Sequence, residues 1–248
     1  MTQNIYDQED FYTGYASLPR SIHGLTPTGA PEWPILRSYI PPLHNSSFLD
    51  LGCGFGWYSR WAAEQGATTV QGIDISSKML ERARNDAENR RISYQRADLE
   101  SVVLEDNVYD VVFSSLALHY VVNLKGLVQQ VHGTLKPGGS FVFSVEHPTV
   151  LAPRSSDPKW MLDDEGKRSW PLNGYLDEGQ RERDWLAKGV VKQHRTVARY
   201  VKMLISAGFV LRAIEEWGPS IEQIESGECN WRGARERPVY LLVKAVKV

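Results

Sequence analysis

From Ser47 onward, short apolar runs alternate with amphipathic ones. Residues 48–51 read as a strand, 57–65 as a helix closed by Gly66, and 68–73 as a second strand that ends at Asp74. In the next segment, 77–89, Met79, Leu80, Ala83 and Ala87 fall on one helical face while Lys78, Glu81, Arg82 and Arg84 take the other. Residues 92–97 form a third strand before Asp98-Leu99. Residues 111–113 are apolar at every position, as a strand buried on both faces would be. A helix over 123–135 carries Leu124, Leu127, Val128, Val131 and Leu135 at helical spacing, stops at Lys136-Pro137-Gly138-Gly139, and precedes a strand over 140–145. Units of strand and helix this closely spaced predict an α/β fold with a doubly wound, mostly parallel sheet. Its crossovers are right-handed and its ligand lies at the carboxyl ends of the strands.

Two stretches break the rhythm. Residues 1–45 place Phe11, Tyr12 and Tyr15 on one face of a short helix, then run through Pro31-Glu32-Trp33-Pro34 and Pro41-Pro42. Either this face packs on the main domain or it closes over a ligand, with Tyr15 and Arg20 as contacts. Residues 148–194 hold Trp160, Trp170, Trp185 and Tyr175 amid Pro, Asp and Gly without a clear period, as an insertion lying over the pocket would. Its tryptophans make either a small core or an aromatic wall. The regular pattern resumes with a helix through Val197, Tyr200, Val201 and Leu204, ended by Gly208, and strands at 209–217 and 239–246. One domain of 248 residues follows: a cover (1–45), a nucleotide-binding core (46–147), a cap (148–194) and the remainder of the core (195–248).

The first strand leads into Asp50-Leu51-Gly52-Cys53-Gly54-Phe55-Gly56-Trp57. Glycines here let the backbone take positive φ and let a ligand approach bare main chain at the start of a helix. A dinucleotide fingerprint would need glycine where Trp57 stands, and a P-loop would need a lysine that is absent. The remaining pattern, Asp50-x-Gly52-x-Gly54-x-Gly56, resembles motif I of the class I S-adenosylmethionine (SAM) dependent methyltransferases. That resemblance implies a Rossmann-like, seven-stranded sheet whose last strand is antiparallel. It also implies that the loop wraps the methionine part of SAM, that Asp74 accepts the ribose hydroxyls, and that Asp98 meets the adenine amino group beside the Leu99 N–H. Further cofactor contacts are expected from Cys53, Ile75, Met79 and Ser114, with Tyr15 and Arg20 reaching in from the cover. Asp74 could instead only cap the next helix, although Ser76 and Ser77 already offer capping hydroxyls.

After the strand at 111–113 comes Ser114-Ser115-Leu116-Ala117-Leu118-His119, where enzymes that methylate bases or glutamine carry Asn/Asp-Pro-Pro-Tyr/Phe. The stretch is similar to the small-molecule branch that includes the ubiquinone and menaquinone methyltransferases. The net charge of −2, with acids and bases interspersed, offers no field for nucleic acid and no polybasic membrane anchor. No apolar run approaches the roughly 18 residues of a spanning helix. Two cysteines, Cys53 and Cys229, fit a reducing, cytoplasmic setting. A monomer and a homodimer are equally compatible.

Methyl transfer to a hydroxyl, a protonated amine or an aromatic carbon releases a proton, so a base near the methyl helps. His119, His147 and Glu146 follow strand ends on the ligand edge, and His194 lies at the end of the insertion; each could equally be a packed residue. The six histidines form neither an i,i+4 pair nor a cluster with cysteine, so no metal is expected, and no Gly-x-Ser-x-Gly elbow is present. The expected function is a SAM-dependent methyltransferase acting on a small organic acceptor, aromatic and heterocyclic ones included. Its competitor is a non-catalytic protein that binds SAM or S-adenosylhomocysteine as a regulator. An NAD(P) oxidoreductase is disfavoured by Trp57.

Overall fold

A computed structural model describes residues 3–87, 91–227 and 235–248. Ahead of the sheet lie a 3₁₀ turn at Ile5–Asp7 and three short helices, α1 (Glu9–Ala16), α2 (Pro19–His23) and α3 (Trp33–Ser38). Proline occupies the first turn of α2 and of α3, where a missing N–H breaks no bond, so the proline-rich passage starts helices. The core continues with β1 (Ser47–Leu51), α4 (Trp57–Glu64), β2 (Thr69–Asp74), α5 (Ser77–Asn85), β3 (Ile92–Arg96), β4 (Tyr109–Ser115), α6 (Leu124–Thr134) and β5 (Leu135–Glu146). Helix α5 thus stops short of the expected 89, which lies outside the described residues, as does Cys229.

Seven strands form one sheet in the order β10-β11-β5-β4-β1-β2-β3, in which β10 (Phe209–Trp217) and β11 (Tyr240–Lys247) follow α8 (Val197–Ser206). Strands β1 to β5 pair in parallel, while β11 runs antiparallel to both neighbours, β5 and β10. A helix α9 (Ile221–Glu225) lies between β10 and β11 and opens with a capping box on Ser220. Strand β5 begins earlier than expected, because Lys136–Gly139 loops out of the ladder against Asp110 and Leu135 still pairs with Tyr109. Lys136 Nζ closes that loop on Asp110 Oδ2 at 2.8 Å.

Each face of the sheet has its own core, and the strands feed them alternately. Val111 and Phe113 pack with α3 and α4 on one face, and Val112 packs with α6 and α8 on the other. Phe141 and Phe143 against Val142 repeat the alternation on β5, and Leu241 and Val243 against Leu242 repeat it on β11. Period-two sorting of this kind fixes register, since a one-residue slip would exchange the two cores. The chain leaves β1 toward β2 and β3, then returns to place β4 on the other side of β1. At that reversal the loops diverge and a crevice opens beyond the carboxyl ends of the strands.

The insertion is more ordered than its pattern implied. It contains α7 (Pro148–Leu151), a short ladder of β6 (Met161–Leu162) with β7 (Arg168–Ser169), and an antiparallel hairpin of β8 (Gly179–Trp185) with β9 (Ala187–His194). No apolar alternation marks β8 because its inward positions are Arg181 and Arg183. Arg183 donates to the carbonyls of Leu151, Pro153 and Ser155 at 2.6, 2.7 and 3.0 Å, and Arg181 donates to that of Ala152 at 3.2 Å. These arginines fill the place of a core by satisfying backbone acceptors that would otherwise be buried unpaired.

Candidate active site

A cavity of about 520 Å³ occupies the crevice at the strand ends. One wall is main chain. Gly52, Gly54 and Gly56 all adopt left-handed φ, +74°, +52° and +72°, each for a different reason. A Cβ on Gly52 would stand 2.3 Å from that of Ala117, and one on Gly56 would stand 2.2 Å from the Tyr94 hydroxyl. A Cβ on Gly54 would meet nothing within 4 Å, so this glycine turns its bare side to the cavity. The loop is tied to β2 by the N–H groups of Gly52 and Cys53, which donate to the Ile73 carbonyl at 2.8 and 3.0 Å. Cys53 is 5% exposed, and burial pushes its thiol well above the ordinary value.

Asp74, at the end of β2, accepts from Gly54 N–H at 2.8 Å through Oδ2 and from Ser76 N–H at 2.9 Å through Oδ1. Its carboxylate therefore both caps the turn into α5 and faces the cavity. Burial raises its pKa, and the backbone donors oppose that rise. Ile75, Met79, Asp98 and Leu99 continue the same wall.

Three expected cofactor residues stand elsewhere. Asp50 is buried behind the loop, where it accepts from the Ser59 hydroxyl of α4 at 2.7 Å. Burial pushes its pKa up to about 7, so it fastens β1 to α4 and does not line the cavity. Gly56 caps α4 and packs on Tyr94. Ser114 donates to the Leu51 carbonyl at 2.7 Å within the sheet, and the alternation of β4 turns Ser115 to the cavity instead. Just beyond, Leu116 holds φ +54°, with its N–H donating to the Ser144 carbonyl at 2.9 Å. A left-handed non-glycine residue in the cavity wall is a strained conformation that the surrounding packing must hold.

The opposite wall is made of side chains from distant segments. Tyr6 and Tyr15 of the cover, Trp185 of the cap and Tyr120 meet edge to face, with Tyr6 and Tyr15 centroids 5.3 Å apart and Tyr15 and Trp185 centroids 6.2 Å apart. Trp160 and Trp170 instead pack on each other at 5.3 Å, away from the cavity, half-buried beneath Arg168 and Arg237, so of the three tryptophans only Trp185 stands in the wall. Asp7 anchors the cover. It accepts from the Ser76 hydroxyl at 2.6 Å and from the Ser77 and Lys78 N–H groups at 3.3 and 3.1 Å, and so caps α5 from another segment. Although burial works the other way, these donors hold its carboxyl below the usual range.

Of the four base candidates, His119 and Glu146 line the cavity. Burial lowers the His119 pKa to about 3, and its Nδ1 accepts from the Glu146 N–H at 3.4 Å, which leaves the proton of the neutral ring on Nε2. Glu146 Oε1 accepts from Lys192 Nζ at 2.5 Å. Burial would raise the Glu146 pKa, but Lys192 outweighs it and the carboxyl is held low. His147 is turned away from the cavity, with Nε2 on Glu216 and Nδ1 on Thr149, both at 2.8 Å. His194 is fully buried on the Tyr175 carbonyl at 2.8 Å. Sequence reasoning missed Asp7, Tyr6, Tyr58, Ser115, Lys192 and Tyr240 at the site, since only tertiary packing brings them together. Among the described residues there is no cluster of three metal-ligating side chains, and no helix is long and apolar enough to cross a membrane.

A glycine-lined corner at a topological switch point, backed by an acid on the adjacent strand, defines a nucleoside-binding α/β protein. Residues 49–143 match a methyltransferase domain family. A SAM-dependent methyltransferase from Mesorhizobium loti is 47% identical and superposes with a TM-score of 0.84 over 90% of this chain and all of that one (100%). An uncharacterized protein of Haemophilus influenzae is 32% identical over 99% of this chain and 97% of its own. A ubiquinone biosynthesis O-methyltransferase of Coxiella burnetii is 31% identical over 45% of this chain and 49% of its own. The chain belongs to the SAM-dependent methyltransferases, and SAM is the cofactor of that family.

Proposed function

We propose that the cavity binds SAM along its main-chain wall and passes the methyl to a small organic acceptor seated under the cover, aromatic and heterocyclic rings included. The residues suit this cofactor. The open face of Gly54 and the Asp74 carboxylate flank one another, and Met79 and Leu99 supply apolar surface for a purine beside Asp98. When bound, SAM would be held by Gly54, Asp74, Met79, Asp98 and Leu99 and would supply an electrophilic methyl to an electron pair of the acceptor.

For the rest, the protein's task is to hold and exclude. Tyr15, Trp185 and Tyr120 shield the site from water, and the strained Leu116 loop supports the floor on which acceptor and methyl meet at about 3 to 3.5 Å. His119 serves as a neutral hydrogen-bond donor through Nε2, because a ring with a pKa of about 3 is a weak base. A released proton goes to water, since Lys192 holds the Glu146 carboxyl low as well. A concave cavity of about 520 Å³ suits a small molecule better than a polymer.

The observation that carries this reading is the pairing of Gly54 N–H with Asp74 at the edge of the cavity. Titration with S-adenosylhomocysteine tests it, together with turnover of methyl-labelled SAM over a mixed small-molecule extract. Saturable binding and labelled product are expected, and wild-type protein that binds neither nucleoside would defeat the proposal. Binding without any turnover would return the protein to the regulatory alternative.

A further inference from the structure

Two buried ion pairs border the cavity, and each presents a single member to it. Arg20 donates to Glu32 at 2.7 Å; the arginine side chain is 20% exposed and lines the cavity, while Glu32 is 0% exposed and lies behind it. Glu146 pairs with Lys192 in the opposite sense: the glutamate is 22% exposed and lines the cavity, while the lysine is 3% exposed and does not. The two pairs therefore show the cavity one cation and one anion, each held in its charged form by a counter-charge that does not line it. Burial works against the Arg20 charge, but Glu32 outweighs it.

The two charges stand on either side of one residue. Tyr240 lies directly opposite Glu146 in the β5–β11 ladder, and the Arg20 guanidinium is 6.0 Å from the centroid of the Tyr240 ring. A guanidinium has five N–H donors; that of Arg20 bonds to Glu32, to the Tyr58 hydroxyl at 3.1 Å and to Tyr240, which still leaves it donors for a ligand. Glu146 gives Oε1 to Lys192. Main-chain residues of the loop and of β2 line the cavity elsewhere, so these two charges fall at the end left for the acceptor.

We propose that the acceptor is a compact dipolar molecule, with a carboxylate recognised by Arg20 and a hydroxyl or protonated amine recognised by Glu146 across the ring of Tyr240. This rests on the methyltransferase reading and narrows it to a substrate class. Arginine is suited to the first task because its planar fork meets both oxygens of a carboxylate. The buried partners suit both tasks, since an unpaired charge on a dry wall would tend to neutralise itself.

The test is equilibrium binding to the protein saturated with S-adenosylhomocysteine, using 3-hydroxybenzoate, 3-(aminomethyl)benzoate, 3-hydroxybenzamide and benzoate. The hydroxy acid is expected to bind at least roughly tenfold more tightly than its amide and than benzoate, the margin of one charge-assisted hydrogen bond. Arg20→Gln should bring the acid and amide together, and Glu146→Gln should bring 3-hydroxybenzoate and benzoate together. Arg20→Lys, which keeps the charge but not the fork, should lie between and serves if Arg20→Gln does not fold. Equal binding of acid and amide by the wild type, an acid preference that survives Arg20→Gln, or no saturable binding of either acid at about millimolar concentration would overturn the inference. Because S-adenosylhomocysteine is bound throughout, such a failure leaves the cofactor reading standing, whereas failure to saturate the protein at the outset would strike the reading itself.

Discussion

The two walls of the cavity are built on different principles. The wall over β1 and β2 is main chain whose groups bond to one another within about 25 residues: Gly52 and Cys53 to Ile73, and Gly54 to Asp74. The facing wall is side chains from the cover, the end of β5, the cap hairpin and β11, held by charge and aromatic contact between segments farther apart in the chain: Asp7 to α5, Glu146 to Lys192, and Tyr15 to Trp185. A wall of backbone tolerates almost no change of residue at its close contacts. A wall of side chains can be re-cut one residue at a time. The first arrangement suits a ligand that stays the same among relatives, and the second suits one that differs.

The largest effect should come from Gly52→Ala, where positive φ and a 2.3 Å approach to Ala117 act together. We expect a loss of about 2–4 kcal/mol in urea unfolding, with strain and overpacking both contributing. Gly54→Ala should cost only about 1–2 kcal/mol for its φ alone, yet weaken S-adenosylhomocysteine binding more than its stability change explains. Equal destabilisation by the two would erase the distinction between a packed and a ligand-facing glycine.

Next comes Asp74→Ala, which removes a hydrogen-bonding carboxylate from the nucleoside and should raise the Kd for S-adenosylhomocysteine by roughly 10- to 150-fold. In the cap that carries the side-chain wall, Arg183→Met strips three carbonyls of their donor and should cost about 1–3 kcal/mol. Hydrogen exchange should quicken in β8 and β9 while β1 and β4 stay protected. Uniform quickening would mean that cap and core are a single cooperative unit.

The smallest effect is expected at Asp7, a partly exposed cap worth about 1 kcal/mol on replacement by alanine. Its folded pKa is depressed, so its contribution is complete above the unfolded value near 4 and fades as pH falls through the lower folded value. The protection factors of amides at the start of α5, corrected for the intrinsic pH dependence of exchange, should therefore fall on acidification in the wild type, and Asp7→Ala should remove that added pH dependence.

The sheet and the main-chain wall were legible in the sequence because both are local. Apolar alternation in residues 48–51 and 111–113 sets strand and face, and glycine spacing sets the turn. Ser114 was misjudged by one position, since strand alternation decides which of two adjacent serines faces the ligand and a short apolar run does not disclose its phase. The hairpin of β8 and β9 was illegible for a different reason, because arginines bound to carbonyls occupy positions where a pattern search expects valine. Tyr240 and Glu146 become neighbours only through an antiparallel register between segments nearly a hundred residues apart.

The thiol of Cys53 is buried in the nucleoside loop and retains its proton. Since the thiolate is the reactive form, alkylating reagents should modify this site slowly and only when the loop lifts from β2. The rate of its labelling, followed on the peptide that carries it, is therefore a built-in gauge of how often the crevice opens, readable without any knowledge of what is methylated.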